Sequence, residues 1–185
     1  MLADKKDLYL LGYLYSFEAG NTEQTIEYYC PKFKMACYMS RILRDNKIPY
    51  HLEMKGIRPM VVTENIYSYS DFLLDKFGLQ PEDVSEQTWP FGFKGLTNSD
   101  KTPFIDGIFE GGSTYSNSDN TINLIIENKN TTDQMSEFLI SNKIKAESFV
   151  AQGVTGIYGV KVKSVSKFLE DFLNTNKYTK FKNFV

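Results

Sequence analysis

The sequence predicts an α+β protein of two pseudo-symmetric half-domains. Each has the order αββαββα, with an antiparallel sheet covered by helices on one face. Three observations predict this. The second half of the 185-residue chain repeats the first 96 positions later. Hydrophobic spacing alternates between helical and strand periods in the same order in both copies. With 42% hydrophobic and 15% aromatic residues, the chain can fill a core.

The repeat is carried by Ser40-Arg41-Ile42-Leu43-Arg44-Asp45-Asn46-Lys47-Ile48, answered by Ser136-Glu137-Phe138-Leu139-Ile140-Ser141-Asn142-Lys143-Ile144. Thr25-Ile26 falls on Thr121-Ile122, and Ser70, Phe72 and Leu73 fall on Ser166, Phe168 and Leu169. One register is expected from about Thr25 to Phe77. Two copies are too few for a solenoid, and each alone is too small to bury a sufficient core. They are expected to share one body, with a seam on its pseudo-two-fold axis.

Element by element, Asp7–Glu18 is apolar nearly all round, which marks a buried helix. Its counterpart begins near Pro103, a residue suited to a first helical turn, with Thr102 as its cap. Gly20-Asn21 and Ser116–Asn120 supply turn residues before extended stretches at Thr25–Phe33 and Thr121–Glu127. Amphipathic helices follow at Met35–Asp45 and Thr132–Ser141. Strand pairs come next, at Tyr50–Lys55 with Met60–Glu64 and at Lys145–Gln152 with Ile157–Lys163. Gly56, Gly153 and Gly156 mark the hairpin turns. Each copy closes with a helix, Tyr69–Phe77 and Ser166–Leu173. The expected divisions are 1–79 for the first repeat, 80–101 for a linker packed on the body, 102–175 for the second repeat and 176–185 for a basic, aromatic tail.

Composition narrows the function. No stretch approaches the ~20 apolar residues of a membrane span, and the first residues show no secretory pattern. A cytoplasmic location, or a host-cell cytoplasm for a viral protein, is expected. Cys30 and Cys37 read as reduced, buried thiols, since no second pair completes a zinc site. His51 is the only histidine, and no catalytic triad is visible. A formal charge of -2 and a pI near 5.5 lack the basic excess of a dedicated nucleic-acid-binding domain.

The duplication, the element order and the opening helices resemble the LAGLIDADG homing endonucleases in their single-chain form. Phe104–Ser113 (FIDGIFEGGS) looks like that family's motif, and Leu10–Asn21 (LLGYLYSFEAGN) like a weaker copy. The resemblance implies two helices packed backbone to backbone, with Gly12, Ser16, Gly107 and Gly111 in the seam. It also implies a carboxylate at the foot of each helix, the two together holding divalent metals that activate water. The chain departs from this pattern. The positions expected to be acidic are Phe17 and Gly112. Only Glu18, reached by a slip, and Glu110, half a turn back, remain as fallback carriers, and their bland reading is an exposed or capping role at a helix end. The implied site is degraded, so no catalytic residue, metal or cofactor is expected, and Mg²⁺ enters only if cleavage survives.

In the family, two sheets form a saddle over duplex DNA. Lys32, Lys34, Lys55, Arg58, Lys129, Lys145, Lys161 and Lys163 are the basic candidates on the strands. Glu27, Glu53, Glu64, Glu127 and Glu147 stand against them. The resemblance implies a monomer that binds DNA or structured RNA; with the site degraded it is expected not to cut, a residual metal-dependent endonuclease using Glu18 and Glu110 being the third reading. The alternative is an interaction protein, inhibitor or adaptor, acting on a host nucleic-acid-handling protein. The acidic balance and Tyr28, Tyr67, Tyr69 and Tyr115, read as exposed, favour it. The Asn/Lys/Tyr-rich composition fits a virus or phage of an AT-rich host.

Overall fold

The structure, a computed structural model, describes residues 4–16, 19–21, 25–87, 98–151 and 156–173. Helix α1 (Lys5–Leu14) opens the chain. A capping box starts it: Asp4 accepts from the Lys6 and Asp7 amides at 2.8 and 2.9 Å, and Asp7 accepts from the Asp4 amide at 3.1 Å. Asp7 is itself buried. It also accepts from Asn46 Nδ2 at 2.7 Å and pairs with Lys76 Nζ at 3.0 Å.

The first half continues with β1 (Ala19–Asn21), β2 (Ile26–Tyr29), α2 (Phe33–Asp45), β3 (Tyr50–Lys55), β4 (Arg58–Thr63) and α3 (Ile66–Phe77). A short helix, α4 (Pro81–Ser85), follows. The second half runs α5 (Asn98–Gly112), β5 (Ser113–Ser116), β6 (Thr121–Ile126), α6 (Lys129–Ser141), β7 (Ala146–Val150), β8 (Tyr158–Val162) and α7 (Val165–Phe168), which passes into a π-helical turn, Leu169–Leu173. Each half holds a four-stranded antiparallel sheet, ordered β1-β2-β4-β3 and β5-β6-β8-β7.

The repeated Asn-Lys-Ile stretch is a helix stop. Asn46 and Asn142 cap α2 and α6, and each returns its amide to the carbonyl four residues back, Ile42 and Phe138. Lys47 and Lys143 take positive φ, 59° and 63°. The Ile48 and Ile144 amides then bond to the carbonyls of Leu43 and Leu139 at 2.9 and 3.0 Å. Both ends are Schellman motifs with lysine where glycine is usual.

Several boundaries differ from expectation. Gly20-Asn21 lies inside β1, paired to β2. Pro103 lies inside α5, because that helix begins at Asn98, within the span assigned to the linker. The common register breaks at the second hairpin. Val61 faces Leu52 in one sheet and Val160 faces Ser148 in the other, so β3 maps onto β7 at 96 positions but β4 onto β8 at 99. The two N-caps that follow, Asn65 and Ser164, are also 99 apart. The apparent match of Phe72-Leu73 to Phe168-Leu169 is therefore out of register by three residues. That is close to one helical turn, so the same face stays buried.

The core runs through both halves. Leu10, Leu11, Tyr13, Phe104, Ile105, Ile108 and Phe109 on α1 and α5 have no solvent exposure. α2, α3, α6 and α7 close over the inner sheet faces through Met35, Leu43, Leu73, Leu139 and Phe168. Gln87, after α4, ties the halves together. Its Nε2 donates to the Tyr15 carbonyl at 2.7 Å, and its Oε1 accepts the Glu127 amide at 2.6 Å.

Candidate nucleic-acid interface and helix seam

The α1–α5 contact is made by missing side chains. A Cβ at Gly12 would overlap the Phe104 carbonyl oxygen and stand 3.0 Å from the Ile108 nitrogen. A Cβ at Gly107 would overlap the Tyr9 carbonyl oxygen and stand 2.9 Å from the Tyr13 nitrogen. Gly12 and Gly107 are 95 positions apart, as are Tyr9 and Phe104, so the contact is reciprocal about a local two-fold. Ser16, just past α1, meets Gly111 in the last turn of α5, so the helices run parallel.

The foot of the seam is crowded. A Cβ at Gly112 would lie 3.0 Å from Leu124 Cδ1 and 3.2 Å from Ser16 Cβ. Ser16 is buried, and its hydroxyl donates to the Tyr13 carbonyl at 2.6 Å. From Gly107 to the start of β5 is one residue shorter than from Gly12 to the start of β1. In the second half Gly112, the position that the resemblance expects to be acidic, is the last residue of α5. Phe17 and Glu18 lie outside the described residues.

Glu110 is not at a surface. It is 1% exposed, and Asp106, one turn earlier, is 3% exposed. Both lie close enough to Tyr9 to add to the rise in its pKa that burial causes first. The reading of Glu110 as exposed or capping is corrected: its side chain is in the protein interior. Among the described residues, no group of three or more His, Cys, Asp or Glu side chains is placed to hold an ion.

The sheets point one face inward and one outward. In the first, Tyr28, Val61 and Thr63 point into the core, which leaves Glu27, Tyr29, His51, Glu53, Lys55, Arg58, Met60 and Val62 on the outer face. There Tyr29 donates to Glu27, and Lys55 Nζ donates to the Tyr29 hydroxyl at 2.8 Å while standing 4.6 Å over its ring. That hydrogen bond, with the nearby charge, raises the Lys55 pKa. Arg58 donates to the Tyr29 carbonyl at 3.5 Å. His51 sits between Glu53, 2.7 Å away, and Glu64, 3.6 Å away. In the second sheet, Ile122, Leu124, Ile126, Val160 and Val162 point inward. The outer face carries Thr114, Asn123, Ile125, Glu147, Phe149 and Lys161, with Phe149 laid across Gly159. Lys163 pairs with Glu147 at 2.5 Å, and Lys145 is exposed beside it.

Five of the basic candidates are not on strands: Lys145 and Lys163 lie one residue outside β7 and β8, and three stand at helix starts. Lys32 caps α2 and Lys34 lies in its first turn, because the extended run ends at Tyr29. Lys129 opens α6 and pairs with Asp133 at 2.6 Å. This bond raises the lysine pKa and lowers that of the aspartate. Two other expectations also fail. Tyr28 and Tyr69 are fully buried rather than exposed, whereas Tyr67 is 77% exposed. Cys30 is buried, but Cys37 is exposed. The outward Asn123 was missed, since an isolated Asn in a strand carries no motif.

No family model and no curated protein matches the chain. Among solved structures, it is similar to the homing endonuclease I-DmoI in complex with DNA and Mn, at 13% identity and TM-score 0.66. That match covers 93% of this chain and 98% of that one. Full-length DUF199/WhiA from Thermatoga maritima matches at 13% identity and TM-score 0.60, over 96% of this chain and 57% of that one. The N-terminal LAGLIDADG domain of DUF199/WhiA matches at 11% identity and TM-score 0.62, over 96% of this chain and 86% of that one. With the duplicated topology and the glycine seam, these likenesses establish that the chain has the LAGLIDADG fold.

Proposed function

We propose that this protein binds double-stranded nucleic acid, DNA foremost, on the outer faces of its sheets, and holds it without cutting. I-DmoI, which shares the fold, was solved in complex with DNA and Mn. The observation that carries the non-cutting half of the reading is Gly112. Leu124 and Ser16 take the space at the foot of α5, and Glu110, the nearest acid in the helix, is turned into the interior. Water activation by paired metals needs carboxylates from both helices at one surface, and α5 offers none. In this reading the cations on the outer faces neutralise phosphates, so affinity falls steeply with salt.

The test is a mobility shift of a generic duplex over rising salt, alongside incubation of supercoiled plasmid with Mg²⁺ and Mn²⁺. A salt-sensitive shift with intact plasmid is expected. Absence of a shift at low salt overturns binding. Metal-dependent nicking that is lost in Glu18→Gln overturns the non-cutting reading.

A protein partner is the second reading, favoured by apolar exposure around the β3 edge: Phe33 at 60%, Met54 at 61% and Ile57 at 95%. Such side chains are enriched at protein interfaces. Retention of one host protein by the purified chain, with no duplex shift, decides for it.

A further inference from the structure

The two sheets are built alike but faced differently, and the difference sits at equivalent positions. In the second sheet one row crosses the outer face as Thr114, Asn123, Lys161 and Glu147. The equivalent row in the first is Gly20, Glu27, Val62 and His51. At the centre, an amide and a cation replace a carboxylate and a buried valine, which is 5% exposed.

The charge around these rows has opposite sign. On the first outer face and its ends, Lys55 and Arg58 stand against Glu27, Glu53 and Glu64. Two cations against three carboxylates leave a net negative face. On the second, Lys145, Lys161 and Lys163 stand against Glu127 and Glu147, which leaves a net positive one. The first face also spends its cations internally: Lys55 on Tyr29, itself held by Glu27, and Arg58 on the Tyr29 carbonyl. Among the described residues, neither Lys145 nor Lys161 has an ion-pair partner. Asn123 is equally uncommitted. It is half-buried: its Nδ2 makes one long bond of 3.5 Å to Thr121, and its Oδ1 is buried with no hydrogen-bond partner among the described residues, so turning the amide outward toward a ligand breaks only that long bond. Asn paired bidentate with adenine, and Lys with guanine, are the readings such groups make in a major groove.

We propose that the saddle is used on one side: the second sheet carries the nucleic acid through Lys145, Lys161 and Asn123, and the first sheet adds no attraction. This rests on the duplex-binding reading above and refines it. A phosphate backbone meets net repulsion over the first sheet and net attraction over the second.

The experiment is fluorescence anisotropy of a labelled duplex with the full chain and three charge variants, each checked by thermal melting. Lys145→Glu with Lys161→Glu is expected to weaken binding by about tenfold or more, and to flatten the salt dependence by about 0.9 for each phosphate that is no longer neutralised. Lys55→Glu with Arg58→Glu is expected to stay within about twofold, as is Glu27→Gln with Glu53→Gln, because no duplex lies over that face. Equal loss from both lysine-bearing faces overturns the inference while leaving duplex binding in place. So does a gain of several-fold on neutralising Glu27 and Glu53. If the unaltered chain binds no duplex, both readings fall. Where a glutamate at position 161 lowers the melting temperature, Lys161→Gln replaces it in the same comparison.

Discussion

Gly12 and Gly107 occupy each other's place under the internal two-fold: each lets the opposite helix bring a backbone carbonyl to where a Cβ would be, that of Phe104 for Gly12 and that of Tyr9 for Gly107. Both glycines lie at the centre of a core without solvent, so the helices cannot part without opening it. Gly107→Ala and Gly12→Ala are each expected to destabilise the fold by about 3 kcal/mol or more, at the upper end of overpacking effects. Urea unfolding checks this, with Gly56→Ala as control. That position has open space around it and only a positive φ to strain, so its loss should be about 1 kcal/mol.

Asp7 closes the capping box of α1 and also holds Asn46 and Lys76. Asp7→Ala removes all three at once and leaves Lys76, with a side chain 20% exposed, facing the interior. A loss of about 2–4 kcal/mol is expected, reduced from the fully buried case by that exposure. Asp7→Asn should recover part of it by keeping the amide contacts. Denaturant midpoints of the two variants test the order.

Among the described residues, the hydroxyls of Tyr28 and Tyr69 are buried without a hydrogen-bond partner. Replacing either residue by Phe removes an unsatisfied polar atom from the core. Tyr69→Phe and Tyr28→Phe are expected to leave stability unchanged or raise it by about 1 kcal/mol. A loss larger than that in thermal melts would show that the hydroxyls are satisfied in solution.

Burial raises the phenol pKa values of Tyr9, Tyr15, Tyr28 and Tyr69 above the usual value near 10. A folded pKa above the unfolded one means full stability below the unfolded pKa, and loss as pH rises past it toward the folded value. Stability should therefore be flat across neutral pH and fall from about pH 10 upward, by about 1.4 kcal/mol per pH unit for each phenol. Melting temperature against pH reads this out, and Tyr69→Phe should shallow the alkaline fall.

Lys47 and Lys143 hold left-handed backbone at the ends of α2 and α6. Lys47→Gly and Lys143→Gly should each stabilise by about 1 kcal/mol, since glycine adopts that conformation without a Cβ clash. Chemical denaturation of the single and double variants should show near-additive gains, the two sites being in different halves.

The duplicated Asn-Lys-Ile stop was legible as a repeat because the local code of a helix end is written in adjacent residues. The amphipathic helices and the hairpins after them were legible for the same reason. Their periods are set by neighbours three, four or two positions away. The glycine seam was legible only through the family resemblance, because a small residue in a helix does not say which backbone approaches it. Tyr28, Tyr69, Glu110 and Cys37 were misplaced between surface and interior. The first three are covered by packing against distant elements, and no pattern in their own segments announces this.

By itself the sequence determined the duplication, the order of helices and strands, and the absence of an acid at Gly112, all of which are properties of residue identity and spacing. Only the tertiary structure decided that the foot of α5 is filled by Leu124 and Ser16. It also decided that Asn123 and Lys161 share a row that Glu27 and Val62 occupy in the other half, and that Lys32, Lys34 and Lys129 stand at helix starts. The physical reason is that burial and cross-strand neighbours arise from contacts between segments far apart in the chain, and a three-residue difference in one hairpin is enough to shift which of them meet.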